Sequence, residues 1–327
     1  MSKALITGGT GFVGSHLAEF LIKNRFSVKC LVRKSSNRKW LADLPIDYCI
    51  GSLQDKSSLI EAVKDVDHIF HAGGLIKAKK RSDFFMVNHI GTENLLAAAE
   101  SHCKNLKRFL YCSSQAAAGP SLSKKPVDEN NLANPVSVYG ESKYRGEESV
   151  LSYSGRMPVT IVRPPSIYGP RDEGFLFVFK MINKGISPIL GTENKFYNFI
   201  YIDDLIKGIF NAAVSEKSIN HVFFLCDDNI YSWGEVVGMI RKIIGKKVIK
   251  IRIPLPVLYT SALFSELAAK ITGKPSVFNL QKIAELKEDY WVCTSQKAGN
   301  LLGFKPAFSI EQGLKITFDW YKKFGYI

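Results

Sequence analysis

The chain opens with a glycine-rich turn. Thr7-Gly8-Gly9-Thr10-Gly11-Phe12-Val13-Gly14 follows directly on the apolar run Ala4-Leu5-Ile6. The spacing Gly9-x-Gly11-x-x-Gly14 suits a strand-to-helix turn whose backbone approaches a diphosphate and whose helix packs tightly on the strand. Gly8 adds a second, overlapping spacing. In such a turn the amides of Phe12 and Val13 sit at a helix N-terminus, where the dipole favours an anion. Glycines alone make only a turn. Here a strand precedes them, and an amphipathic stretch over 12–23 follows, with Val13, Leu17 and Leu21 on one face. That context makes the segment the start of a βαβ unit.

The alternation continues. Residues 27–33 read as a strand, 57–64 as a helix, 67–71 as a strand and 84–103 as a helix. They are followed by a strand over 107–113, a helix over 137–153 and a strand over 158–163. Strand and helix in turn imply right-handed crossovers and an α/β fold, a doubly wound parallel sheet of the Rossmann type. Beyond 164 the pattern breaks at Pro164-Pro165, Gly169-Pro170 and Ser187-Pro188. A helix is expected over 203–214, capped by Asp203 or Asp204, then a strand over 221–226. A helix over 232–245, an extended stretch over 248–253 and an unusually apolar helix over 256–272 complete the reading. The expected dinucleotide-binding domain is 1–165, with 201–226 returning to it. Residues 166–200 and 227–327 form a smaller, partly interleaved substrate lobe.

With 327 residues, 46% of them apolar, and a mean hydropathy near zero, the chain reads as soluble and globular. The thiols Cys30, Cys49, Cys103, Cys112, Cys226 and Cys293 form no CxxC pair. They read as reduced core thiols of a cytoplasmic protein, with neither a disulfide frame nor a metal site. No signal peptide is visible, and the apolar stretch from Leu255 to Ile271 is too short and too charged to span a bilayer. The net charge of +14 concentrates in Lys77-Ala78-Lys79-Lys80-Arg81 and in 241–252. No aromatic platform or DNA-binding motif accompanies it, so a solvated basic face is expected and nucleic acid is not. Peripheral membrane contact through the basic and apolar C-terminal segments is the lesser alternative.

The second strand runs out into Arg33-Lys34, where a dinucleotide fold often carries a carboxylate for the ribose 2′-hydroxyl. A guanidinium and an ammonium there would attract a 2′-phosphate. NADP(H) is therefore favoured, with NAD(H) as the alternative. Tyr139 and Lys143 stand four apart, on one face of the expected helix. A phenol with an ordinary pKa of about 10 is a poor acid-base group at neutral pH, and a nearby ammonium would lower it. Ser114 falls just past the strand 107–113, at the carboxyl edge of the sheet, where its hydroxyl can hydrogen-bond a reacting oxygen. Together these residues point to hydride chemistry on a carbonyl or secondary alcohol.

At this point the chain resembles the extended short-chain dehydrogenase/reductase family, also called the NAD-dependent epimerase/dehydratase family. The matching segments are the glycine turn, Phe70-His71-Ala72-Gly73-Gly74, Asn88-x-x-Gly91-Thr92-x-Asn94-Leu95-Leu96 and Tyr111-Cys112-Ser113-Ser114. Tyr139-Gly140-x-Ser142-Lys143, Arg163-Pro164-Pro165-Ser166-Ile167-Tyr168-Gly169-Pro170-Arg171-Asp172 and Tyr201-Ile202-Asp203-Asp204-Leu205 continue them. The resemblance implies Tyr139 as general acid/base, Lys143 as its tuner and nicotinamide-ribose ligand, Ser114 as orienter of the substrate oxygen, and Asn88 as support. It implies cofactor contacts from Gly8, Gly11, Phe12, Val13, Gly14, Ala72, Gly73, Gly74 and Pro164. Ser52 and Leu53 would lie at the adenine, with Ser52 where the family often has aspartate. A homodimer through the helices over 84–103 and 137–153 is likewise implied.

Within that family, the residues after Ser114 are Gln115 and Ala116, without the Asp-Glu of 4,6-dehydratases. Ser166 stands where 4-epimerases usually carry asparagine. Gln115 and Ser166, with Ser114, are the expected substrate contacts. The Arg-Pro-Pro segment and the basic strand end look more like the branch of 3β-hydroxysteroid dehydrogenases and dihydroflavonol reductases, which act on bulky ketones and alcohols. The leading expectation is thus an NADP(H)-dependent ketone reductase or alcohol dehydrogenase. A nucleotide-sugar 4-epimerase with tightly bound NAD and a non-catalytic cofactor-sensing protein are the alternatives.

Overall fold

The computed structural model describes residues 1–190, 194–254, 256–261 and 280–327. Its main sheet contains β1 (Lys3–Thr7), β2 (Ser27–Val32), β3 (Ile46–Ile50), β4 (His68–His71), β5 (Arg108–Cys112), β6 (Val159–Arg163) and the strand His221–Phe224. The spatial order is His221–Phe224, β6, β5, β4, β1, β2, β3, and every pairing is parallel. The strand order reverses between β1 and β4, so a crevice opens at their carboxyl ends.

β4 and β6 are buried along their whole length, as a parallel sheet covered on both faces requires. The strand period of two splits β1 between two cores. Ala4 and Ile6 pack with Leu17 and Leu21 of α1 (Phe12–Lys23). Leu5 packs on the other face with Leu95 and Leu96. Between β3 and β4 runs α2 (Lys56–Val63), capped by Asp55.

The expected helix over 84–103 is present but not uniform. It consists of α3 (Arg81–Phe85), a π-helical turn (Met86–Ile90) and α4 (Gly91–His102). The wide turn encloses Asn88, and such turns are frequent at functional sites. After β5 come the short α5 (Gln115–Ala118) and α6 (Val138–Leu151), the latter capped by Ser137.

Past β6 the chain leaves the main sheet. Ser166–Tyr168 pairs with Phe199–Tyr201, and Ile186–Leu190 pairs with Ile249–Ile253. Phe196–Tyr197 is flanked by Tyr231–Ser232 and Tyr290–Trp291, which sets Trp291 beside Tyr197. The helix Trp233–Ile244 carries a capping box at Ser232 and Glu235 and ends on the left-handed Gly245.

Two differences from expectation are informative. β3 was not anticipated, because its half-exposed Ile-Asp-Tyr-Cys-Ile reads weakly as a sheet edge. The cap of the helix Ile202–Val214 is Tyr201, and neither Asp203 nor Asp204 fills that role. Buried Asp204 instead accepts hydrogen bonds from the amides of Ala307 (3.0 Å) and Phe308 (3.1 Å), a contact across 103 residues of chain. Most of the expected apolar helix over 256–272 lies outside the described residues. Among those described, no helix is long and apolar enough to cross a membrane, and all six cysteines are free thiols.

Candidate active site

The turn between β1 and α1 is built by close backbone approach. A Cβ on Gly14 would lie 2.2 Å from the Gly8 carbonyl oxygen, and one on Gly8 would lie 2.7 Å from Gly73 Cα. Gly8 also has a φ of +75°, a conformation glycine adopts without strain. The loops after β1 and β4 therefore meet through glycine backbone, leaving the amino end of α1 accessible. Gly11 provides no side-chain cap there, and no acidic residue occupies the first turn. Uncapped amides with no nearby carboxylate fit the diphosphate of a dinucleotide.

A directed hydrogen-bond chain holds this region. The Gly73 amide donates to Thr7 Oγ1 (3.1 Å), which lies 2.6 Å from His71 Nδ1. His71 Nε2 lies 2.9 Å from Thr92 Oγ1, which donates to the Asn88 carbonyl (2.8 Å). Because Thr92 gives its proton to that carbonyl, His71 carries its own on Nε2 and is neutral. The Asn88 side chain accepts from the Leu75 amide (2.7 Å) and donates to the Leu75 carbonyl (2.9 Å) and Ser142 Oγ (2.9 Å). Asn88 thus pins the Ala72-Gly73-Gly74 loop to α6.

Arg33 and Lys34 are exposed just past β2. Among the described residues neither has a carboxylate partner. Ser52 is tied to Ser58 Oγ through its amide (3.2 Å), and the carbonyl of buried Leu53 accepts from Asn94 (3.0 Å).

Ser114 caps α5, accepting from the Ala116 amide at 3.1 Å. Burial raises the Tyr139 phenol well above its ordinary pKa; the Ser114 hydroxyl opposes that rise, and Glu285 adds to it. Lys143 donates to the Cys112 carbonyl (2.8 Å) and lies 4.0 Å from the centroid of the Tyr111 ring. Burial lowers its pKa to about 8. In this arrangement burial is the largest influence on the Tyr139 phenol, and the Lys143 ammonium is engaged at the Cys112 carbonyl.

One turn beyond Lys143, Glu147 makes a bidentate pair with Arg163, at 2.9 and 2.6 Å. Their side chains are 1% and 8% exposed. The pair fastens α6 to the end of β6. Pro164, next in the chain, accepts from the Gln115 amide at 2.8 Å, so one corner locks β6, α5 and α6 together.

Ser114, Gln115 and Tyr139 form one wall of a partly open cavity of about 230 Å³, continued by Pro165 and Ser166. Tyr197, Glu285, Leu286 and Trp291 also line it. Gln115 is 3% exposed, and among the described residues its Nε2 has no hydrogen-bond partner. The indole of Trp291 donates to the Glu285 carbonyl (3.0 Å), while Ser137 Oγ donates to its carboxylate (2.8 Å). Glu147, Tyr197, Glu285 and Trp291 were missed from the sequence. Only Glu147 had a signal: it continues the four-residue spacing of Tyr139 and Lys143.

The buried histidines predict an acid sensitivity. Burial lowers the pKa of His16 and His68 to about 4 and that of His71 to about 3. Above pH 6.5 they are neutral in both folded and unfolded chains. As pH falls from there towards 4, the unfolded chain takes up protons the folded protein refuses. Stability then drops by about 1.4 kcal/mol per pH unit for each histidine. Glu129 and Asp172, whose carboxyls burial pushes upward, act in the opposite sense. The urea midpoint is expected to fall between pH 6.5 and 5.5; a flat profile would refute this account.

The switch-point crevice and the glycine cradle are those of a dinucleotide-dependent enzyme class. The chain belongs to the NAD dependent epimerase/dehydratase family, whose model matches residues 4–225, and it is an extended short-chain dehydrogenase/reductase. A ceramide reductase of Caulobacter vibrioides is 30% identical over 98% of this chain and 95% of that protein. An N-acetyl-α-D-glucosaminyl-diphospho-ditrans,octacis-undecaprenol 4-epimerase of Escherichia coli O157:H7 is 26% identical over 97% and 94%. In shape the chain is similar to the UDP-glucuronic acid 4-epimerase of Bacillus cereus in complex with NAD. That structure has a TM-score of 0.78 at 24% identity and covers 98% of this chain and 99% of that one. Membership of an enzyme family removes the non-catalytic alternative.

Proposed function

We propose that this enzyme transfers a hydride between nicotinamide and a ketone or secondary alcohol, with NADP(H) preferred over NAD(H). The observation that carries this reading is the shared cavity of Ser114 and Tyr139 at the carboxyl edge of the sheet. Bound nicotinamide supplies or accepts the hydride. Ser114 orients the substrate oxygen, and Tyr139, held protonated by burial, gives that oxygen its proton. Lys143 binds the ribose and steadies the phenolate left behind. The aromatic wall of Tyr197 and Trp291 suits a bulky substrate. The likeness to a ceramide reductase supports a reductase in this branch.

The cofactor assignment rests on Arg33 and Lys34. Exchanging both for alanine should cut the ratio of NADPH to NADH affinity by about tenfold or more, since a charge-assisted phosphate contact contributes roughly 1.5–3 kcal/mol. An unchanged ratio in nucleotide titrations would remove the NADP assignment.

The second reading, a nucleotide-sugar 4-epimerase, is supported by the likeness to a putative UDP-glucose 4-epimerase of Methanocaldococcus jannaschii, 28% identical over 97% of this chain and 98% of that protein. It predicts NAD carried through purification and interconversion of a sugar nucleotide without net use of cofactor. We further propose a homodimer and a peripheral lipid contact. Ile249 (73% exposed) and Ile251 alternate with Lys250 and Arg252 on an outer strand, which supports the lipid contact. Sedimentation velocity and flotation with anionic vesicles test the two.

A further inference from the structure

The loop 33–45, which joins β2 to β3, carries Arg33, Lys34, Arg38 and Lys39 close together. Like charges at such spacing repel one another and open a loop unless something holds it. Two adjacent residues do so. Leu41 is buried beneath the glycine turn, where a Cβ on Gly9 would lie 3.7 Å from its Cδ1. Its carbonyl accepts from the Tyr48 hydroxyl at 3.0 Å. Trp40 is half-buried and packs against a different part of the chain. The Arg171 guanidinium lies 4.8 Å from the centroid of its ring, the Trp320 ring 5.6 Å and the Lys39 ammonium 4.4 Å. The electron-rich face of an indole attracts such cations.

Arg171 and Trp320 are themselves fixed. Arg171 has a φ of +74°, a left-handed conformation that persists in a residue with a side chain only where its surroundings enforce it. Its guanidinium donates to Ser15 Oγ (3.0 Å) and to the Glu19 carboxylate, both on α1. Trp320 lies on the C-terminal helix Ile310–Lys323 and packs against Phe324 and Tyr326, at 4.6 and 5.4 Å between ring centroids. The neighbouring Tyr321 hydroxyl donates to the Asp172 carbonyl (2.6 Å), which ties that helix to the residue after Arg171. We propose that Trp40, clamped by Arg171 and Trp320, is a positioning residue that fixes the loop of Arg33 and Lys34, so that the C-terminal helix sets the preference between NADP(H) and NAD(H). A loop already ordered loses little freedom when it meets a ligand, and only a nucleotide with a 2′-phosphate draws on these two cations. The proposal deepens the NADP(H) reading and rests on it for the nucleotide, while the clamp stands on the packing alone.

The test pairs calorimetric titration of NADPH and NADH with limited trypsin digestion of the nucleotide-free protein, since all four cations of the loop are trypsin sites. Trp40→Leu should weaken NADPH about fivefold or more and leave NADH within about twofold, because only the phosphate contact needs the ordered loop. Cleavage after Arg33, Lys34, Arg38 and Lys39 should quicken by about fivefold or more in the same variant, as expected for a segment with a lower opening free energy. Trp40→Phe keeps an aromatic face for Arg171 and should stay near wild type in both assays. Trp320→Leu, which removes the clamp from the other side, should reproduce Trp40→Leu, and the two changes together should be no worse than either alone. Unchanged cleavage in Trp40→Leu overturns the proposal. So does faster cleavage with NADPH and NADH weakened by the same factor, which would make Trp40 an ordinary packing residue. If the wild-type protein binds NADH as tightly as NADPH, the NADP(H) reading fails; faster cleavage in Trp40→Leu and Trp320→Leu would then leave the clamp standing as the anchor of this loop.

Discussion

Replacing Tyr139 with phenylalanine should lower kcat/KM about a thousandfold and leave nucleotide affinity within about threefold of wild type. The change deletes one oxygen at a half-buried position, so the ring still fills its place beside Phe84, 6.4 Å away centroid to centroid. What disappears is the proton donor, and positioned general acids contribute roughly 10²- to 10⁴-fold. Burial keeps the wild-type phenol protonated through neutral pH. Reduction should therefore hold steady as pH rises from 6 towards 8, while oxidation of the alcohol climbs because it needs the phenolate. Steady-state rates in both directions, with nucleotide titration of the variant, check this. Retained turnover in the phenylalanine variant would exclude the mechanism.

Cutting the Glu147–Arg163 pair should have the largest effect on stability. Glu147→Ala leaves a buried guanidinium without its bidentate partner, and breaking such a pair by removing one member costs about 3–5 kcal/mol. Urea denaturation followed by circular dichroism should show the midpoint fall accordingly. The double variant Glu147→Leu with Arg163→Met should recover most of the loss, because the desolvated charge goes with its partner. A single variant as stable as wild type would mean that the pair does not hold α6. The consequence for chemistry is positional: Tyr139, Lys143 and Glu147 occupy one helix face at four-residue spacing, so loosening Glu147 loosens the face that presents the other two.

The sequence was most legible where the physics is local. The glycine turn, the buried strands and the spacing of Tyr139 and Lys143 depend on periods of 2 and 3.6 residues and on backbone approach that only glycine allows. For that reason β1, α1, β2, β4, β5, α6 and β6 appear within a residue or two of where the pattern put them. Legibility failed where a segment's partner lies far along the chain. β3 is a weak strand by itself and becomes one by pairing with β2. Asp204 looks like a cap until the fold brings the amides of Ala307 and Phe308 to it. The π-helical turn at Asn88 has no period to announce it.

The same division runs through the candidate site. Sequence by itself determined the glycine turn and singled out Ser114, Tyr139 and Lys143 as candidates near one edge of a parallel sheet, because a motif is a short-range object. Tertiary structure decided the surroundings of those groups. It placed Glu285 from 148 residues away against the cap of the helix that carries Tyr139, set Trp291 beside Tyr197, and directed Lys143 to the Cys112 carbonyl. Burial, which no local pattern encodes, then set the protonation of the phenol and the ammonium.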